Sequence, residues 1–142
     1  MKKAQKYSII IKEAESLIDK NVDDIANMAN LSRLLHDHFS HHWIGFYRVI
    51  DDKLQLGPFN GPIACTSIAL GKGVCGKSWL HKKTYIVDDV HQFEGHIACS
   101  PKSNSEIVIP CKPRFPIISQ SSIGNSFDRS TSEDFGAISS WA

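Results

Sequence analysis

Three cysteines, Cys65, Cys75 and Cys99, share the stretch from Gly57 to Glu106 with most of the chain's glycines. The acidic pair Asp88-Asp89 and three histidines, His81, His91 and His96, lie in the same stretch. Thiols in such company do one of two things. They fill a core as small inert spacers, since cysteine is among the most buried residue types. Or they exchange electrons as thiolate, sulfenic acid and disulfide. The spacings contain no C-x-x-C and fit no common zinc pattern. Nearby histidines and a helix N-terminus can lower a thiol pKa, which tilts the reading to redox chemistry. The run Gly71-Lys72-Gly73-Val74-Cys75-Gly76 matches G-x-G-x-x-G after a strand. The helix that follows is too short for a crossover and no second βαβ unit flanks it, so a dinucleotide site is not expected. These glycines are better read as aiming backbone N–H groups and a helix N-terminus at Cys75.

The positioning elements are legible in part. Tyr7, Ile10, Ile11, Ala14, Leu17 and Ile18 recur at helical spacing, so residues 4–19 form an amphipathic helix. Asn21 or Asp23 caps a second helix, with Ile25, Met28, Leu31 and Leu35 on one stripe. Residues 42–50, HWIGFYRVI, form a strand rich in aromatic and β-branched residues. Its period of two sets Trp43, Gly45, Tyr47 and Val49 on one face and Ile44 and Phe46 on the other. A short strand is expected at Lys53–Leu56 and another, carrying Cys65, at Ile63–Leu70. A helical stretch follows at Lys77–Lys83, then a strand at Thr84–Val87. Residues 88–104 read as a long loop of functional length, closed by the strand Ser105–Pro110. The tail holds an irregular edge strand at Pro116–Ile123, and residues 128–142 end as a short helix.

The chain's 142 residues suffice for one domain with a real core. A net charge of +1, with lysines and arginines scattered, argues against nucleic acid as partner. No apolar run is long enough for a membrane span and the N-terminus lacks a secretory pattern, so the cytoplasm is expected. Structural disulfides are disfavoured there. The segment His36-Asp37-His38 with His41 and His42 has metal-ligand residue types. No cysteine or second ligand pair accompanies it, so neither a metal nor a cofactor is expected.

The runs WIGFY, LGPFNGPIACTSIALGKGVCG and VDDVHQFEGHIACSPKSNSEIVIP resemble the free methionine-(R)-sulfoxide reductases, which are single-domain members of the GAF fold. The match is nearly continuous from Trp43 to Pro110, and the three cysteines stand in that family's register. The resemblance implies an α+β fold, with a central antiparallel sheet covered by N-terminal and C-terminal helices. It implies one domain over 1–142: a helical part at 1–40, sheet and active-site loop at 41–110, and a divergent part at 111–142. Cys99, in GHIAC, would attack the sulfoxide sulfur and become a sulfenic acid as methionine leaves. Cys65 would condense with it to a disulfide, Cys75 would be a second resolving thiol, and thioredoxin would be the reductant. Trp43 and Tyr47 would wall the substrate's methylthio group. Glu106 would help protonate the sulfoxide oxygen or hold the substrate's ammonium. Whether the chain forms a homodimer is left open.

The resemblance breaks after Pro110. The family continues into a strand of the form G-V-L-D-I-D-S, whose aspartates complete an acidic pocket. Here Ile117–Asn125 reads IISQSSIGN, without a carboxylate, and Cys111 stands where the family prefers an apolar residue. Losing a buried carboxylate opposite an ammonium costs on the order of 2–5 kcal/mol. The alternative reading is therefore a GAF-type module that binds a small molecule or senses redox state without catalysis.

Overall fold

A computed structural model describes residues 2–39, 42–95, 105–111 and 117–122. Two helices open the chain, α1 at Lys3–Leu17 and α2 at Asp24–Phe39. Asp23 starts α2 by accepting the Ile25 N–H at 2.7 Å, so the cap is Asp23 and not Asn21. The connection between the helices is pinned by buried Asn27. Its side chain accepts from the Asp19 N–H at 3.1 Å and donates to the Asp19 carbonyl at 2.9 Å. That pairing satisfies an amide whose burial would otherwise cost about 1–3 kcal/mol.

The remaining elements build one sheet. They are β1 (Trp43–Ile50), β2 (Lys53–Asn60), β3 (Ser67–Ala69), α3 (Gly73–His81), β4 (Tyr85–Val87), a 3-10 turn at Val90–Gln92, β5 (Ser105–Pro110) and β6 (Ile117–Ser122). The strand order is β3-β2-β1-β6-β5-β4, and every neighbouring pair is antiparallel. Period-two geometry splits β1 as expected. Ile44 and Phe46 join Ile107 and Ile109 beneath Tyr7, Ile10, Ala14, Met28, Leu31 and Leu35 of the two helices. Trp43 and Tyr47 face the other way, with Leu54, Ile68, Val74, Cys75, Val87 and Val108. The sheet thus has a helix-covered structural face and a second face that holds Cys75, with Cys65 packed against it.

Several expectations are corrected. Ile25 is exposed rather than on the buried stripe, which consists of Met28, Leu31 and Leu35. β2 runs to Asn60 instead of stopping at Leu56. A bulge opposite Phe46 absorbs Gly57-Pro58, so the missing proline N–H breaks no ladder bond. The strand expected at Ile63–Leu70 shrinks to β3, leaving Ile63 and Cys65 outside it. α3 begins at Gly73, not Lys77, because Gly73 adopts a φ of +62° that lets the chain turn directly into the helix. β6 is not an edge strand: it lies between β1 and β5 near the middle of the sheet. The expected C-terminal helix lies outside the described residues.

Histidine and aspartate at the end of α2 take structural roles. His38 meets Glu13 of α1 at 2.6 Å, and Asp37 pairs with Arg33 one turn back. Among the described residues, no three potential metal ligands come together. No described helix is long and apolar enough to cross a membrane.

Candidate active site

An aromatic wall forms the centre of the second face. Trp43 and Tyr47, four residues apart on β1, stack with centroids 6.0 Å apart, and Phe59 of β2 stacks on Trp43 at 5.4 Å. Gly45 between them makes room. A Cβ built there would lie 2.3 Å from the Phe59 Cβ and 2.8 Å from the Trp43 ring. Phe59 went unrecognised in the sequence because Gly57-Pro58 read as the end of its strand. The available signal was alternation resuming after the proline.

Tyr47 links this wall to a cysteine. Its hydroxyl donates to the Cys65 carbonyl at 2.9 Å. Burial, then the neighbouring Cys75 and Glu106, push the phenol far above its ordinary value. The hydroxyl therefore stays a proton donor across the physiological range. Cys65 is engaged in a disulfide, whereas Cys75 and Cys111 are thiols. Cys65 sits in the connection between β2 and β3 and packs, half-buried, on the aromatic cluster.

Cys75 is buried in the first turn of α3, as its third residue rather than in front of the helix. Gly76 lets α3 press onto the sheet, since a Cβ there would lie 2.6 Å from the Ala69 carbonyl. That approach carries Cys75 to β5, where its thiol donates to the Glu106 carboxylate at 3.6 Å. Cys75, Glu106 and Tyr47 therefore form one cluster. Cys111 lies on the opposite side, in the helix-covered core.

The register supplies the rest of the row. Trp43 of β1 pairs with Ser121 of β6, and Ser121 pairs with Glu106 of β5. One step along, Gly45 pairs with Ser119, which pairs with Val108. Ser119 and Ser121 are thus the β6 residues in register with Gly45 and Trp43, and Ser121 is the residue paired between Trp43 and Glu106. Sequence reading registered the missing carboxylates but could not assign this position, because strand pairing between distant segments leaves no local signature.

The residues from Asp89 to Gly95 are held in place. Asp89 accepts from the His91 N–H at 3.0 Å, capping the 3-10 turn and so serving the backbone. Lys77 of α3 donates to the Glu94 carbonyl at 2.7 Å and lies 4.9 Å from the Phe93 ring centroid. Asp88 is exposed. Cys99 and His96 lie outside the described residues.

No family model matches the chain. GAF domain-containing protein A of Dictyostelium discoideum is 44% identical over 131 residues, covering 89% of this chain and 83% of that protein. Free methionine-R-sulfoxide reductase of Escherichia coli is 40% identical over 136 residues, covering 94% and 82%. The X-ray structure of free methionine-R-sulfoxide reductase from Neisseria meningitidis, in complex with its substrate, superposes with a TM-score of 0.93. Its identity is 37%, covering 98% of this chain and 87% of that one. Near-complete coverage at these identities, over an α+β sheet with the same architecture, makes this chain a member of the free methionine-(R)-sulfoxide reductase family of the GAF fold.

Proposed function

We propose that this chain, as one domain, reduces free methionine-(R)-sulfoxide to methionine in the cytoplasm, with thioredoxin as the reductant. The observation that carries the reading is the disulfide at Cys65, tied by the Tyr47 hydroxyl to an aromatic wall and neighboured by the Cys75–Glu106 pair. Cys75 and Cys111 are thiols, and the scheme that the family resemblance implies assigns Cys99 as the residue that condenses with Cys65.

The thiolate of Cys99 attacks the sulfoxide sulfur. The oxygen passes to the Cys99 sulfur and takes up one proton to give a sulfenic acid, as the substrate's S–O bond breaks and methionine departs. The Cys65 thiolate then attacks the sulfenic sulfur, water leaves, and the disulfide forms. Trp43 and Tyr47 receive the methylthio end, with Phe59 backing Trp43. Glu106 sits two strands from Trp43 in the same row, placed to hold the ammonium or pass a proton to the sulfoxide oxygen. Cys75, against Glu106, is the reserve resolving thiol.

The test is thioredoxin-coupled NADPH consumption by the reduced wild-type chain with each free methionine sulfoxide epimer. Turnover of the R epimer is expected. A folded, reduced chain that turns over neither epimer overturns the reading. The absence of a carboxylate from Ile117–Asn125 favours the second reading, a non-catalytic binding module. Calorimetric binding of methionine sulfoxide without turnover would select it.

Glu106 is the one carboxylate in the Trp43–Ser121–Glu106 row, so its charge should weigh heavily. Glu106→Gln should lower kcat/KM about 100-fold, near 2.8 kcal/mol, mainly by raising KM. Ser121→Asp, placing a second carboxylate in the row, should lower KM. Steady-state rates on the R epimer check both, and an unchanged KM in Glu106→Gln would remove Glu106 from the substrate site.

A further inference from the structure

We propose that the connection carrying Pro62, Ile63 and Ala64 is the docking segment for the protein dithiol that reopens the Cys65 disulfide, with Ile63 as its anchor. The inference rests on the redox cycle proposed above and goes beyond it by naming where the reductant binds and which sulfur it attacks.

Three observations converge there. Ile63 is 91% exposed, whereas the other exposed large hydrophobic residues among those described range from 36% to 55%. A single exposed aliphatic residue is ordinary by itself. This one, however, stands two residues before a cysteine in a disulfide. The main-chain groups of Ile63 and Ala64 make no hydrogen bond among the described residues, because the segment belongs to no strand. Unused main-chain donors and acceptors beside an exposed side chain are what partners recognise when they bind a segment through its backbone. The segment is also held firmly from behind. Tyr47 binds the Cys65 carbonyl at 2.9 Å, and the Leu56 N–H binds the Thr66 carbonyl at 3.0 Å. Ala64 and Cys65 pack inward on the aromatic cluster, so little ordering remains to oppose docking.

The chemistry is thiol–disulfide exchange. One thiolate of the dithiol attacks the Cys65 sulfur. The existing S–S bond breaks, and the cysteine formerly paired with Cys65 leaves as a thiolate and takes a proton. The dithiol's second thiolate then attacks its own sulfur in the mixed disulfide and releases Cys65. Two electrons pass to this chain, and the dithiol becomes a disulfide.

The experiment uses the oxidised full-length chain, without sulfoxide, and follows thiol release by thioredoxin or dithiothreitol. Ile63→Asp should slow thioredoxin at least about tenfold, while dithiothreitol, which needs no docking surface, stays within about twofold. The melting temperature should not move, since an exposed side chain is changed. An unchanged thioredoxin rate overturns the proposal, and so does a parallel fall in the dithiothreitol rate. A shift in oligomeric state on sedimentation would assign Ile63 to a contact between copies and also overturn it. Thioredoxin lacking its second cysteine should be trapped on Cys65, and trapping on Cys99 refutes the assignment. No step requires methionine sulfoxide, so these outcomes are independent of whether the chain turns that substrate over.

Discussion

Cys99→Ser will release no methionine from free methionine-(R)-sulfoxide, even in a single turnover with excess dithiothreitol. An alcohol at neutral pH supplies almost no anion to attack sulfur, whereas a thiol supplies some thiolate and a far softer nucleophile. The loss should exceed about 10³-fold, as when a catalytic nucleophile is removed elsewhere. Cys65→Ser should behave differently because it leaves the attack intact. That variant should release about one equivalent of methionine in a burst, in the manner of covalent catalysis with a blocked second step. Turnover with thioredoxin should then continue slowly if Cys75 resolves the sulfenic acid. Its thiol already has a carboxylate acceptor, Glu106, at 3.6 Å. The double variant Cys65→Ser/Cys75→Ser should stall after the burst. Rapid quenching with methionine quantified by chromatography separates these cases. A burst from Cys99→Ser would move the nucleophile to another cysteine.

Gly45→Ala is the second large effect, and it acts on stability. The backbone at Gly45 needs no left-handed φ, so alanine is conformationally acceptable there. Space is what it lacks. The added methyl would lie 2.3 Å from the Phe59 Cβ, 2.9 Å from the Phe59 Cα and 2.8 Å from the Trp43 ring. A flexible side-chain tip could give way, but a paired strand backbone cannot without parting β1 from β2. Overpacking of this kind costs about 3 kcal/mol, at the upper end of the usual range. For a domain of this size that corresponds to a fall of about 10 °C in Tm. Because Trp43 would be pushed off Phe59, near-UV circular dichroism should weaken together with methionine sulfoxide affinity. A variant with unchanged Tm would show that the sheet relaxes here freely.

The parts legible from sequence were those set by short-range pattern. Alternation in HWIGFYRVI assigned Trp43 and Tyr47 to one face and Ile44 and Phe46 to the other, and both clusters follow that division. SEIVIP gave β5 with its boundaries, and helical spacing gave α1. Errors arose where local signals meant something else in context. Gly57-Pro58 looks like a terminator, yet a bulge accommodates it within β2. Gly73 looks like loop, yet its positive φ opens α3 and draws Cys75 into the helix. The serines of β6 read as an edge because a polar strand normally sits there, whereas its neighbours are β1 and β5. No property of IISQSS reveals that Ser121 falls between Trp43 and Glu106. That fact exists only once three strands, far apart in the chain, are in register.

The place of β6 has a consequence for how the protein is made. It is the last described strand in the chain and the one that joins β3-β2-β1 to β5-β4. During synthesis, before residue 117 leaves the ribosome, the growing chain can pair its strands only into two separate antiparallel pieces. Each piece then exposes a long unpaired margin, along β1 and along β5, the kind of margin on which neighbouring chains aggregate. The aromatic wall belongs to one piece and the Glu106 carboxylate to the other. A nascent chain of this protein therefore brings its aromatic wall and this carboxylate together in a single late event, and the demand on chaperones should be greatest just before that strand emerges.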